Sequence, residues 1–243
     1  MSLAEAMAAL EAAGSEQTRR TYARHGASEP MFGVSFATLK ALRKRIGSDH
    51  ELALALWDSG NFDARNLAVK IVDPARLEET ELDRWAHDPS ARMCSSYVAH
   101  VAAEGRHGRT CVARWLAATA EPPQIIGWKL VAALAMLDET LDETWLRQRL
   151  ADIEAALHAA PNAIREAMNL ALIAIGCRNA VLRTEASAAA QRIGKVEVDH
   201  GDTACKTPDA LVSIDKAWAH AVDKQFASPA AQERARESMR TRC

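Results

Sequence analysis

Helical periodicity running almost from end to end is the feature that most constrains this chain. Ile164, Met168, Ala171, Leu172 and Ile175 recur three and four positions apart, the spacing that gathers one side of an α-helix into a buried stripe. Leu52, Leu54, Leu56 and Trp57 do the same for one earlier segment, and Leu67, Val69, Ile71 and Val72 for the next. Helices are expected at 2–13, 15–25, 35–46, 49–59, 62–72, 78–87, 91–104, 108–119, 123–137, 142–158, 162–176, 179–193, 211–225 and 229–241. The breaks carry the right punctuation. Asp73-Pro74 and Asp88-Pro89 push the chain out of the helical region, Pro122-Pro123 and Pro161 suit a first helical turn, and Gly47, Gly105, Gly176 and Gly194 suit helix ends. Val196-Glu197-Val198 is the one short extended candidate.

The helices pair at 49–72, 78–104, 108–137 and 142–176, a repeat of roughly 30–40 residues. Two-helix units of that size bury each other's faces by stacking. The expectation is an all-α fold, an α-solenoid of HEAT-like antiparallel helix pairs, with a compact helical bundle as the alternative. Residues 1–243 are read as a single domain: a helical cap over 1–47, repeat pairs over 48–195, and a C-terminal loop and helical tail over 196–243. The second helix of each pair, starting near Phe62, Ala91, Pro123 and Asn162, is expected to line a concave side. The tail after Ser228 alternates in charge and ends in Cys243; it is read as either partly disordered or clasped onto the last repeat.

Composition agrees. Hydrophobic residues make up 49% of the chain but aromatics only 5%, and alanine dominates the apolar fraction, so thin helical layers are favoured over a thick sheet core. No run of about 18 apolar residues exists, so no membrane span is expected. Residues 1–14 lack the basic start and apolar centre of a secretory signal. Five scattered cysteines with no CxxC pair argue against a disulfide framework and for a reducing cytoplasm. The net charge of −2 gives no support to nucleic-acid binding by itself. Its distribution does: between Gln17 and Gly47 stand seven Lys/Arg (Arg19, Arg20, Arg24, Lys40, Arg43, Lys44, Arg45) against Glu29 alone, enough for one basic face. A solvated helix surface is the competing reading.

Thr21-Tyr22-Ala23-Arg24-His25-Gly26-Ala27, followed by Met31-Phe32-Gly33-Val34, then Leu56-Trp57, then Phe62-Asp63-Ala64-Arg65, resembles the entry region of AlkD-like DNA alkylation repair proteins. Ile164-Arg165-Glu166-Ala167-Met168-Asn169 is similar to that family's last concave helix, and 193–201 with 205–209 to a subgroup ending. The resemblance spans about 15–210. It implies an α-solenoid whose active members are DNA glycosylases that release cationic N3- or N7-alkylated purines, using a carboxylate flanked by Trp or Tyr and no metal or organic cofactor. It also implies a grip on duplex DNA through the phosphate backbone. The family's paired Trp and Asp fall at Ala91 and Ser95, its next concave Arg near Leu130, and a further Trp near Leu170. Tyr22 alone matches, and residues 90–104 hold no Asp, only Glu104 at the far end. The catalytic set is therefore unknown.

What remains for DNA is basic. Arg65, Arg92, Lys129 and Arg165 each fall near the start of a second helix, and with Tyr22 and Trp128 they form the candidate DNA-binding set; surface or inter-repeat ion pairs are the alternative. The other tryptophans, sharing faces with Leu and Val, are read as core. Asp199, His200, Asp202 and Cys205, or His107 and Cys111, could ligate zinc only by borrowing distant ligands, so no metal is expected. Two functions stand open: a DNA repair glycosylase for alkylated bases with altered machinery, and a non-catalytic scaffold binding nucleic acid or a protein partner through its concave face.

Overall fold

The computed structural model describes residues 1–242, the side chains of Ala91 and Arg92 excepted. Two features singled out above, Cys243 and the side chain of Arg92, thus lie outside the described residues. The described residues form helices throughout: α1 (Leu3–Ala12), α2 (Glu16–Arg24), α3 (Phe36–Ile46), α4 (His50–Asp58), α5 (Phe62–Ile71), α6 (Glu79–His87), α7 (Ser95–Glu104), α8 (Gly108–Leu116), α9 (Glu121–Leu137), α10 (Glu143–Ala156), α11 (Asn162–Gly176), α12 (Ala180–Ile193), α13 (Ala210–Asp223) and α14 (Pro229–Arg234), with 3-10 turns at Pro89–Cys94 and Leu157–Ala159. Starts are set locally. Ser15, Ser35, Asp49, Asn61, Asp142, Asn179, Asp209 and Ser228 each stand in extended backbone, and each side chain accepts an N–H of the first turn, which satisfies donors that a helix start leaves orphaned.

The chain packs as two compact units, 1–107 with 238–243 and 108–237. In unit 1, α4 pairs with α5, α6 with α7, and α5 packs on α3 and α7. Trp57 and Trp85 stack between the pairs, rings 4.2 Å apart and 12° from parallel, and both are buried. In unit 2, α8 pairs with α9, α10 with α11 and α12 with α13; α9, α11 and α13 neighbour one another in one layer, and α10 and α12 in the other. Gly127 permits the α8–α9 crossing: a β-carbon there would lie 3.1–3.2 Å from Trp115 and Leu116 atoms. This paired, two-layer arrangement is the HEAT-like one.

Three expectations need correction. The helix foreseen over 91–104 begins at Ser95, because Asp88 and Ser90 are tied to Arg65 and bend 89–94 into a 3-10 turn. The helix foreseen over 229–241 stops at Arg234. Beyond it Ser238 accepts N–H bonds from Thr241 and Arg242 in a tight turn, and residues 238–242 pack into unit 1 rather than onto the last repeat. Residues 196–198 form no strand; the described residues hold only one isolated bridge, Gly14 with Val34. No helix among them is long and apolar enough to cross a membrane.

Candidate nucleic-acid interface

In unit 1 the helices that carry the basic run are joined by a stitched loop. Asp63, in the first turn of α5, is 0% exposed. One carboxylate oxygen accepts the Phe32 and Gly33 N–H groups at 2.6 and 3.0 Å, and the other accepts Val34 N–H at 2.8 Å. The Val34 carbonyl accepts the Tyr22 hydroxyl at 2.7 Å, and the Gly33 carbonyl accepts Ser15 N–H at 3.0 Å. Gly33 has φ +81°, and a β-carbon there would come within 2.4 Å of the Ser15 carbonyl oxygen, so only glycine fits. The loop thereby fixes α2 and α3, which carry the basic run. Arg19 is spent on Glu16 and Glu29, and Arg20 on Glu16. Arg24 and Lys44 are exposed with no ion pair among the described residues, and Arg45, also exposed, meets the Met1 sulfur at 3.8 Å and acts on the Glu5 charge.

Most of the sequence-derived contact set has intramolecular partners. Tyr22 is 8% exposed and packs edge-on against Phe36 and Phe62, with ring centroids 5.8 and 5.2 Å away. Arg65 lies over the Trp57 ring at 5.3 Å, donates to the Trp57 carbonyl, and binds Asp88 and Ser90. Trp128 is 8% exposed, and the next residue, Lys129, is half-buried on α9. Arg165 donates to the carbonyls of Glu197, His158 and Ala160 at 2.8, 3.2 and 3.0 Å. The structure brings Tyr22 and Arg65 into unit 1 and Trp128, Lys129 and Arg165 into unit 2, as parts of the packing. Sequence reasoning missed Asp63, whose only signal was its place beside Phe62 in a quoted motif. It also treated the basic run as uniform, whereas the partners of Arg19 and Arg20 are acids three, four and ten residues away.

With this geometry in hand, comparison with known proteins is decisive. Residues 6–192 match the family described as DNA alkylation repair enzyme. The chain belongs to that family. Two bacterial relatives, the uncharacterized proteins Lmo0209 of Listeria monocytogenes and Lin0241 of Listeria innocua, are each 25% identical over 214 residues, 86% of this chain and 93% of theirs. A solved structure, described as a new family of proteins related to the HEAT-like repeat DNA glycosylases with affinity for branched DNA structures, superposes with a TM-score of 0.80 at 29% identity, covering 93% of this chain and 96% of that one.

Ser95, the position to which the resemblance assigns the family's aspartate, is buried at the start of α7. Leu130 is fully buried, whereas Leu170 is exposed. In unit 1 the buried carboxylate of Asp63 is saturated by backbone donors, and Glu104 is paired with Arg240 at 2.8 Å. Neither is open to a developing sugar cation. Among the described residues, no three His, Cys, Asp or Glu side chains come together as a metal site.

Proposed function

We propose that this protein binds branched DNA through the phosphate backbone and does not release bases. The observation that carries the reading is the 29%-identical solved neighbour, which covers nearly the whole chain and is described as having affinity for branched DNA structures. The exposed cations Arg24, Lys44 and Arg45 supply phosphate contacts on unit 1 and Lys129 supplies one on unit 2, since contacts to phosphate set affinity without reading sequence. Tyr22 acts behind them, holding the loop between α2 and α3 through Val34, and Arg65, Trp128 and Arg165 serve the packing of their own units. The setting is alkylation-damage repair in the cytoplasm, where the protein marks or holds a branch for other enzymes.

The family's excision chemistry needs a carboxylate facing the sugar as the glycosidic bond breaks. Asp63 and Glu104 are both committed elsewhere, so the binder is favoured over the glycosylase. The test pairs two assays on one sample. In fluorescence anisotropy, Arg24→Glu/Lys44→Glu is expected to weaken binding to a four-way junction about tenfold or more, as loss of two phosphate contacts does. In a base-release assay on methylated DNA, wild type is expected to stay at the uncatalysed background. Release above background would make the protein a glycosylase with altered machinery, and unchanged affinity in the double variant would remove α2–α3 from the interface.

A further inference from the structure

Unit 2 contains a cavity of about 1080 Å³, lined by the first turn of α11, the last turns of α12 and the segment 194–211. Its shape is fixed from one helix face. Asn162, Arg165 and Asn169 lie three and four residues apart, so they project from the same side of α11. All three hold the segment. The Asn162 side chain donates to the Asp199 carbonyl at 2.7 Å and accepts Asp199 N–H at 2.8 Å. Arg165 donates to the Glu197 carbonyl at 2.8 Å, and Asn169 to the Pro208 carbonyl at 2.9 Å. Across the loop, a ring nitrogen of His200 lies 3.1 Å from the Thr207 hydroxyl. Polar side chains spent on backbone in this way leave a preformed hollow rather than a collapsed turn.

The lining is amphipathic. Val196, Val198 and Pro208 offer apolar surface, His200 and Thr207 offer hydrogen-bonding edges, and Lys195 and Lys206 are exposed cations. Two acids of the segment are engaged locally, Asp199 accepting Gly201 N–H at 2.8 Å and Asp209 accepting Val212 N–H at 2.9 Å as the cap of α13, whereas Asp202 is exposed and does not line the cavity. Glu197 pairs with Lys195 at 2.7 Å, but both side chains are largely solvated (74% and 84% exposed), so the pair is weak and yields to a stronger anion. Lys206 has no ion pair among the described residues. At about 1080 Å³ the volume lies just above that of ordinary small-ligand sites, about 300–1,000 Å³, room enough for one nucleotide with space to spare. A flat, apolar-faced ring with polar edges and an attached phosphate matches this lining.

We infer that this cavity receives a single unpaired nucleotide of a DNA branch, its base against Val196, Val198 and Pro208 and its phosphate at Lys195 and Lys206. The inference rests on the proposed binding of branched DNA. A branch point offers such nucleotides, whereas a blunt linear duplex keeps its bases stacked and paired.

Cys205 lines the cavity and is exposed, while Cys94, Cys111 and Cys177 are buried. Burial pushes the thiols of Cys94 and Cys177 up to about 12, and since the thiolate is the reactive form, Cys205 reports on the site in a Cys243→Ser background. Its reaction with a chromogenic disulfide is followed with a three-way junction carrying unpaired thymidines at the branch, and with a blunt duplex, while anisotropy monitors occupancy. The junction is expected to slow modification about tenfold at about nine-tenths occupancy, and the blunt duplex to leave the rate unchanged. Full reactivity with the junction bound would overturn the inference while leaving DNA binding intact. If anisotropy detects no binding of either DNA, the proposed function fails and this inference with it. Lys195→Glu/Lys206→Glu, both at solvated positions, is expected to weaken the thymidine junction about tenfold and the blunt duplex hardly at all; equal loss on both would make the lysines general backbone contacts and overturn their role in the cavity.

Discussion

Replacing Arg240 with alanine is expected to destabilise unit 1 by about 3 kcal/mol, the cost of removing one partner from a buried charge network. Arg240 is 9% exposed. Its guanidinium donates to the Val69 and Val72 carbonyls at 2.9 and 3.2 Å and to Glu104 at 2.8 Å. Those carbonyls belong to the C-terminal end of α5, where acceptors lack helical partners and the helix dipole favours a cation. The strap answers in kind: Lys70, 2% exposed and 4.1 Å above the Tyr97 ring, donates to the Arg240 carbonyl at 2.9 Å, and the Ser238 hydroxyl donates to Glu104. Loss of the Arg240 side chain leaves Glu104 without its cation and the Val69 and Val72 carbonyls without that donor at once. Thermal denaturation followed by circular dichroism is expected to show a midpoint about 6–12 °C lower. Arg240→Lys should recover little of this, because an ammonium cannot fork between two carbonyls and a carboxylate. A shift within about 1 °C would mean that the strap is a passive tail.

Asp63→Ala is expected to cost more, about 3–5 kcal/mol, because it leaves three backbone N–H groups without acceptors at a buried site. The consequence reaches the proposed interface. Phe32, Gly33 and Val34 hang on that carboxylate, and Tyr22 hangs on Val34, so its loss frees the register of α2 against α3. Hydrogen exchange should show amides 32–34 losing protection first, ahead of α9 and α11. Asp63→Asn should rescue only in part, since its amide nitrogen would face donors. Uniform loss of protection across both units would contradict the local role of this carboxylate.

Much of this fold was legible in the sequence because it is written locally. Ser15, Ser35, Asp49 and Asp209 announce helix starts one residue before the periodic stripe begins, and the stripe on α11 names its own buried face. The 35-residue rhythm then leaves few ways to bury those faces. The fates of the charged side chains were not legible. Arg65, Arg165, Arg178 and Arg240 look alike as isolated basic residues in the sequence, yet each is spent on packing. Arg178 is buried and donates to the carbonyls of Ala135, Glu139 and Leu141, and burial pulls it below the usual arginine range. Their partners lie between 5 and 171 residues away, so no local pattern marks them. For the same reason Asp63 read as an ordinary first-turn acid. The absent aspartate between residues 90 and 103 was legible, since a missing residue type needs no geometry.

The most direct test of the central claim is the affinity of the wild-type protein for a four-way junction and for a linear duplex of the same arm sequence, each measured by anisotropy at 50 and 200 mM salt. With about four phosphate contacts, affinity for the junction should fall on the order of a hundredfold across that interval, and at either salt the junction should bind at least about tenfold more tightly than the duplex, a difference of about 1.4 kcal/mol. Equal affinity for the two DNAs, or binding that ignores salt, would contradict it.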